Sequence, residues 1–291
     1  MELFKDVVLS LIYGLFSLIP LGGEDQVWFY SNLMGTEPEY TVFFLSLLSL
    51  SSMLVVMLLI MKDVVKLVIG TYQLFLDFFG NIFTWISNYW ATEKKGYYAF
   101  DTNPYKRQAL LALIATFANC IVSWMLGGLA KTCQTIPGFI AFALLGCAVL
   151  LLMTLVLNNG RKTMKKMSFM DAIIIGALMG VGVLPGCPRI VMCFVGALGL
   201  RYTQSSAFRF YLFTLIPSTI FLALGTLQSL TGTAITLSGI SALIVGMLVC
   251  GVTTVISYRL GKHLTSNNKT KLVALVGIIL GILLAIVALA K

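Results

Sequence analysis

The chain has 291 residues, of which 59% are hydrophobic and only 11% are charged, and its formal net charge is +9. An ordinary soluble domain carries about a quarter charged residues, and a soluble chain of this size could not cover so much apolar surface. The composition therefore excludes soluble enzymes, nucleic-acid-binding proteins and disordered proteins. It predicts an all-α integral membrane protein, because no stretch shows the alternation of a barrel strand.

The chain contains two kinds of apolar segment, uninterrupted stretches and segments that Pro and Gly interrupt. Six stretches reach the roughly 20 residues that a helix needs to cross a bilayer. They cover residues 40–61, 107–130, 135–157, 207–227, 238–259 and 271–290. Segment 6–35 is different, because Pro20-Leu21-Gly22-Gly23 interrupts it near its middle. Segment 169–200 is interrupted in the same way by Pro185-Gly186-Cys187-Pro188. Since each half is too short to cross the membrane, we predict two re-entrant helix–loop–helix hairpins.

The basic residues are concentrated between the apolar segments. Loops 62–107, 161–166, 201–209 and 259–271 hold six, four, two and four of the 20 Lys and Arg residues. Because cytoplasmic loops carry an excess of these residues, we expect all four loops in the cytoplasm. Both termini and the acidic loop 35–39 are then expected outside.

The two halves of this map repeat each other with opposite orientation. Residues 1–160 hold hairpin 6–35 and the first three spans. Residues 161–291 hold hairpin 169–200 and the last three spans, so the whole chain forms one membrane domain. The first hairpin enters from outside and the second from the cytoplasm, which is the layout of an inverted-topology repeat. In such proteins two interrupted helices at matching positions indicate a binding site near the middle of the membrane.

Arg189 lies inside an apolar segment, at the break of the second hairpin. A charge within the membrane costs free energy and indicates a functional site, with snorkelling to the interface as the alternative. Helix N-termini at hairpin tips favour anions, and a guanidinium donates two parallel hydrogen bonds to phosphate. We therefore predict a phosphate or carboxylate site that consists of Arg189, Gly22, Gly23, Pro185 and Gly186.

Two runs in the hairpins carry a resemblance to a known family. Residues 12–20, Ile-Tyr-Gly-Leu-Phe-Ser-Leu-Ile-Pro, are similar to the first motif of bacterial undecaprenyl-diphosphate phosphatases, the BacA-type family. Residues 180–189, Gly-Val-Gly-Val-Leu-Pro-Gly-Cys-Pro-Arg, resemble its second motif. The resemblance covers about 1–70 and 168–230, and it implies the two opposed re-entrant hairpins.

The resemblance implies an enzyme of the bacterial plasma membrane that removes the terminal phosphate from a polyprenyl diphosphate. The family's first motif has two glutamates four residues apart and then Ser-Ser-x-Gly-His, and its second motif reads Pro-Gly-x-Ser-Arg-Ser. This chain departs from both motifs at the reactive positions. In the first motif, Tyr13 and Ser17 replace the two glutamates, Gly22 and Gly23 replace the two serines, and Gln26 replaces the histidine. In the second motif, Pro188 and Ile190 replace the two serines. Arg189 and the Pro185-Gly186 turn remain.

We therefore expect a catalytically degenerate relative that binds a polyprenyl phosphate or diphosphate carrier, with translocation of that lipid as a further expectation. Tyr13, Ser17 and Gln26 complete the expected phosphate site. One alternative is an active diphosphatase whose reorganised site uses Glu24, Asp25, Ser17 and Arg189, with Mg²⁺ or Ca²⁺. Glu24 and Asp25 have another interpretation, in which they are the acidic residues that stabilise the first turn of a helix. A non-enzymatic membrane scaffold and a transporter of a small soluble anion are further alternatives.

Cofactors, partners and three further features of the sequence carry smaller expectations. The preferred interpretation needs no cofactor and no metal. The expected partners are the polyprenyl lipid and membrane lipids, and no nucleic acid is expected. A homodimer is left open. The six cysteines show no CxxC pairing, which argues against a disulfide framework or a metal site. The aromatic-rich segment 72–98 predicts an amphipathic stretch at the membrane surface. His263 is expected in a basic loop.

Overall fold

The computed structural model describes residues 2–90, 94, 96–99, 103–157, 160–227 and 237–290. Within these ranges the chain forms only helices, and one isolated bridge joins Lys162 to Tyr202. The helices are α1 (Glu2–Phe16), α2 (Gly23–Met34), α3 (Pro38–Leu59), α4 (Met61–Trp90), α5 (Pro104–Cys133), α6 (Pro137–Leu157), α7 (Phe169–Val181), α8 (Arg189–Gly199), α9 (Gln204–Leu227), α10 (Leu237–Ser266) and α11 (Thr270–Leu289). The all-α prediction is confirmed.

Six helices in the described part of the chain are long and apolar enough to cross a membrane: α3, α4, α5, α6, α10 and α11. Five of them coincide with predicted spans, so the chain is a multi-pass membrane protein. The sixth, α4, was not predicted as a span. The predicted span 207–227 folds as α9, which has 24 residues but carries Arg209 and an internal Pro217.

The prediction of a loop over 62–107 was wrong, because most of this segment is the 30-residue helix α4. The basic ends of the segment concealed a long run of apolar and aromatic residues without proline. The Arg209 guanidinium donates to Asp63 Oδ1 at 3.1 Å, near the start of α9. A Cβ on Gly70 would lie 2.9 Å from the Tyr105 carbonyl oxygen, at the start of α5. The first half of α4 therefore lies across the starts of two other helices.

The second half of α4 exposes most of its aromatic side chains, including Phe83 at 78% and Trp85 at 64%. The chain returns along it, because the Tyr98 backbone N–H donates to Asn81 Oδ1 at 2.7 Å. The surface position expected for 72–98 stays a prediction, and Lys95 lies outside the described residues.

His263 also differs from the prediction of a loop position. Helix α10 continues to Ser266, so His263 lies in its last turn, where a helix accommodates a basic residue. The imidazole is exposed and contacts the Asn267 side chain at 3.2 Å.

Helices α1 and α2 form the first helix pair, which matches predicted hairpin 6–35. The chain turns between them at Gly22, whose φ of 76° favours glycine. At the open end of the pair, Lys5 Nζ donates to the Met34 carbonyl at 3.2 Å. Neither helix exceeds 15 residues, about 22 Å, which is less than a bilayer's hydrocarbon thickness.

Helices α7 and α8 form the second helix pair, which matches predicted hairpin 169–200. A capping box at Ser168 and Asp171 begins α7, since each side chain accepts a hydrogen bond from the other residue's backbone N–H. Proline residues 185 and 188 and Gly186, with a φ of 89°, shape the turn before α8. The two helices have 13 and 11 residues, so this pair is also shorter than a span.

The two pairs open toward opposite ends of the molecule. Asn32 in α2 donates to the Gln134 carbonyl at 2.6 Å, which places the open end of the first pair beside the end of α5. Arg107 at the start of α5 donates to the Met167 carbonyl at 3.1 Å, beside the open end of the second pair. Since α5 extends for 30 residues between these contacts, the tips of the two pairs point toward each other.

Helix packing follows a matched pattern in the two halves of the chain. Helix α1 packs on α10 of the second half, whereas α7 packs on α5 of the first half. Helix α3 also contacts α9, and α6 contacts α11, so both contacts join the two halves. Each pair is thus held by a long helix of the other half. This exchange supports the inverted repeat of 1–160 and 161–291, which stays a prediction.

Candidate functional site

The tips of the two helix pairs are in direct contact. The buried Asp25 of α2 accepts a hydrogen bond through Oδ1 from the Gly186 backbone N–H at 2.5 Å. A Cβ on Gly22 would lie 2.5 Å from Pro188 Cγ, so only glycine permits this approach. The tips of the two interrupted segments, 161 positions apart in sequence, therefore meet inside the molecule.

Arg189 is the first residue of α8 and lies beside this contact. Its Nε is 3.9 Å from Glu24 Oε2, which is an ion pair but too long for a hydrogen bond. Among the described residues, no hydrogen-bond partner reaches this buried Nε. A cation at a helix N-terminus is also opposed by the helix dipole. The charge of Arg189 is consequently incompletely compensated, and an additional anion bound beside it would stabilise it.

A cavity opens at this point between both helix pairs and the central helices α3 and α9. Its empty volume is about 590 Å³, including the part open at its mouth. We call it the tip cavity. It is lined by Tyr13, Ser17, Gly22, Gly23, Glu24, Asp25, Ser49, Ser52, Met179, Pro188, Arg189, Ile190, Tyr211, Leu215, Ser218 and Thr219.

The hydroxyl groups of α3 and α9 are the part of the cavity that sequence reasoning missed. Ser49 and Ser52 reach it from α3, and Ser218 and Thr219 from α9. The signal was present as closely spaced hydroxyl residues in otherwise apolar spans. Such residues commonly bond their own helix, as Ser49 does to the Ser46 carbonyl at 2.8 Å, so the sequence alone did not mark them as a site.

Ser17 and Tyr13, which the sequence-based prediction aligned with the glutamates of the first motif, both line the tip cavity. The Ser17 hydroxyl donates to the Gly14 carbonyl at 3.0 Å, one turn earlier in the same helix. Tyr13 is buried at 6% exposure. Among the described residues the Ser17 hydroxyl is hydrogen-bonded to the Gly14 carbonyl and not to a base that would activate it.

Three of the expected phosphate contacts lie elsewhere. Gln26 is 1% exposed and is not among the residues of the tip cavity, because it points to the interior side of α2. Pro185 and Gly186 lie behind the tip. A Cβ on Gly186 would be 2.4 Å from the Ile140 carbonyl oxygen of α6, and the Gly186 N–H is already bonded to Asp25.

Glu24 and Asp25 have different partners. Glu24 faces Arg189, whereas Asp25 binds the Gly186 backbone, so the two carboxylates diverge as adjacent helical residues do. In the described residues no group of three or more His, Cys, Asp and Glu side chains is close enough to hold a metal. Both are acids of the first turn of α2, but Asp25 binds the other helix pair instead of capping its own helix.

Comparisons with known proteins bear on this geometry. The family model described as bacitracin resistance protein BacA matches residues 6–283. A protein of Thermosipho africanus named undecaprenyl-diphosphatase is 24% identical over 95% of this chain and 97% of its own length. One of Halalkalibacterium halodurans, undecaprenyl-diphosphatase 1, is 27% identical over 74% of this chain and 70% of its own. A third protein, from Alkaliphilus metalliredigens, is named undecaprenyl-diphosphatase. It is 22% identical over 75% of this chain and 74% of its own length.

The family match extends across both helix pairs and all the long helices, so it covers the tip cavity and the fold that forms it. This chain therefore belongs to the BacA family of membrane proteins.

Proposed function

We propose that the chain binds the phosphate group of a polyprenyl phosphate or diphosphate in the tip cavity, and that it has lost the family's hydrolytic chemistry. The relatives' name, undecaprenyl-diphosphatase, supports this class of lipid. The observation that carries the proposal is the buried Arg189 Nε, which has no hydrogen-bond partner among the described residues. An unsatisfied buried donor costs about 1–3 kcal/mol, and a phosphate oxygen removes that cost.

The substituted motif positions support the loss of hydrolysis. The two residues that replace the glutamates, Tyr13 and Ser17, line the cavity with neutral side chains. The chain's single histidine, His263, lies in the last turn of α10 and is not among the residues of the tip cavity. Phosphate-ester cleavage commonly needs a general base or a metal-binding pair. The two carboxylates of the described lining are already engaged, Glu24 with Arg189 and Asp25 with the Gly186 N–H.

The position of the cavity supports translocation of the bound lipid in the bacterial plasma membrane. Both helix pairs and both central helices contribute to the lining, so each half of the chain holds part of the phosphate site. In transporters built from inverted repeats, one half moves relative to the other around such a site.

The test is binding of undecaprenyl phosphate to the purified protein, measured by native mass spectrometry. Because a charge-assisted hydrogen bond contributes about 1.5–3 kcal/mol, we expect Arg189→Ala to weaken binding by about tenfold to a hundredfold. The matched control is Arg161→Ala, which removes the same charge from an exposed loop residue and should leave affinity unchanged. Equal affinity of Arg189→Ala and the parent protein would overturn the proposal and favour a scaffold.

A second candidate function is an active diphosphatase with a reorganised site. Glu24 favours it, because this carboxylate lines the cavity beside Arg189 and Ser17. Release of phosphate from undecaprenyl diphosphate, with Mg²⁺ or Ca²⁺ present, separates the two candidates. We expect no release above a protein-free control, and release that Glu24→Gln abolishes would establish the second candidate instead.

A further inference from the structure

A second groove lies away from the tip cavity, at the end of the molecule where the basic loops meet. Arg209 of α9 and Lys262 of α10 both line it, together with Asp63 at the start of α4. Its floor consists of Phe208, Leu212 and Phe213, which are at most 5% exposed. We call it the basic groove.

The charges in the basic groove are incompletely neutralised. Arg209 is paired with Asp63 at 3.1 Å, but its side chain remains 50% exposed. Lys262 lies 6.0 Å above the Tyr258 ring, and in the described part of the chain it forms no ion pair. Two cations face one carboxylate, so the groove has an excess positive charge.

The surface beside the groove is apolar. Met61 is 59% exposed and Leu260 is 45% exposed, on the two helices whose ends border the groove. In a protein that crosses a membrane, such side chains contact lipid chains. Cations above an apolar floor, next to a lipid-facing surface, complement a molecule with an anionic head and hydrocarbon tails.

We propose that the basic groove binds an anionic glycerophospholipid of the surrounding bilayer, with its phosphate between Arg209 and Lys262. Basic pockets between transmembrane helices hold lipid headgroups in this way. The headgroup phosphate accepts hydrogen bonds from both cations, while its acyl chains lie along the exposed side chains of α4 and α10. This site is separate from Arg189 and does not depend on the function proposed for the tip cavity.

The experiment adds phosphatidylglycerol or phosphatidylcholine to the purified full-length protein and measures retained lipid by native mass spectrometry. Phosphatidylglycerol is expected to bind more tightly. Since each basic residue near a headgroup contributes about 1 kcal/mol, Lys262→Gln should lower its affinity about fivefold and the Arg209→Gln, Lys262→Gln double variant about 30-fold. If loss of the ion pair between Arg209 and Asp63 impairs folding of the double variant, Lys262→Gln still tests the site, because it leaves that ion pair intact.

Two further arms test the location. Lys165→Gln, Lys166→Gln removes the same charge from exposed residues outside the groove and should have no effect. Asp63→Asn removes the competing carboxylate and should increase affinity.

Some outcomes would overturn the assignment. Equal binding of the two lipids, or equal weakening by the control pair, would mean that no specific site exists. Displacement of phosphatidylglycerol by inorganic phosphate at the same concentration would mean that the groove recognises a free anion and not a lipid.

Discussion

Glu24 is the residue that most affects how Arg189 can act. The two side chains are 30% and 18% exposed, and their charged atoms are 3.9 Å apart. At this distance the attraction is about 4 kcal/mol at an effective dielectric constant of 20, and partial exposure reduces it. A phosphate that enters the tip cavity must therefore compete with Glu24 for the guanidinium.

We expect Glu24→Gln to increase the affinity for undecaprenyl phosphate by about tenfold, because it removes this competition and the repulsion of the incoming anion. Titration of the lipid against the purified variant measures the change. Glu37→Gln, at an exposed position before α3, is the matched control. Weaker binding by Glu24→Gln would show that the carboxylate contributes to the site.

Asp25 has a different role from its neighbour. It is 4% exposed and accepts the Gly186 N–H, so it joins the two helix pairs. That bond also removes from the expected phosphate site one of the backbone donors on which the sequence-based prediction relied. The tip is consequently held by protein groups, and Arg189 is the main group left for a ligand.

At the scale of elements, the two helix pairs depend on glycine at their tips. Gly186 has a φ of 89°, and a Cβ there would lie 2.4 Å from the Ile140 carbonyl oxygen and 2.7 Å from Ala143 Cβ. Neither contact can be relieved by a side-chain rotation, because one involves backbone and the other a helix packed in the core. The conformation and the space both exclude a larger residue.

Gly186→Ala should therefore destabilise the protein by about 2 kcal/mol or more, which combines left-handed backbone strain with the steric contact. Thermal unfolding in detergent should show a midpoint that is lower by several degrees. Gly146→Ala, in helix α6 with open space around the new methyl group, is the control and should not lower the midpoint. An unchanged midpoint for Gly186→Ala would mean that the tip turn relaxes freely.

The element that sequence reasoning described least well is α4. The basic residues at both ends of segment 62–107 obscured a continuous helix, because the rule that basic residues mark loops gave a loop over the whole segment. The contact of Asp63 with Arg209 places its first turn at the basic end of the bundle. Charge counting therefore grouped the start of α4 with the other basic segments, although it misidentified the secondary structure.

At the scale of the whole molecule, the structure brings the basic segments to one end. The Lys162 N–H donates to the Arg201 carbonyl at 3.1 Å, and Thr270 donates to Gln204 at 2.6 Å. These contacts join the predicted cytoplasmic loops 161–166, 201–209 and 259–271. Lys5 lies at the other end, beside Met34, and Lys291 lies outside the described residues.

This distribution predicts how the protein is oriented in the membrane. A cysteine introduced at Lys131, at the end of α5, should react with a membrane-impermeant maleimide in intact bacterial cells. A cysteine at Lys165 should react only after permeabilisation, because basic segments are retained in the cytoplasm. Both residues are exposed, and labelling of the parent protein corrects for its six native cysteines. The reverse pattern would contradict the orientation.

The sequence by itself determined the membrane class, the interrupted segments 6–35 and 169–200, the basic end and the isolated position of Arg189. These are local properties, because hydropathy, helix-breaking residues and charge act on the segment that carries them. Only the tertiary structure decided which groups meet. Asp25 and Gly186 form a hydrogen bond although 161 positions separate them, and Arg189 faces the carboxylate of Glu24. Contacts of this kind depend on how the helix pairs pack against the long helices, which no local pattern encodes.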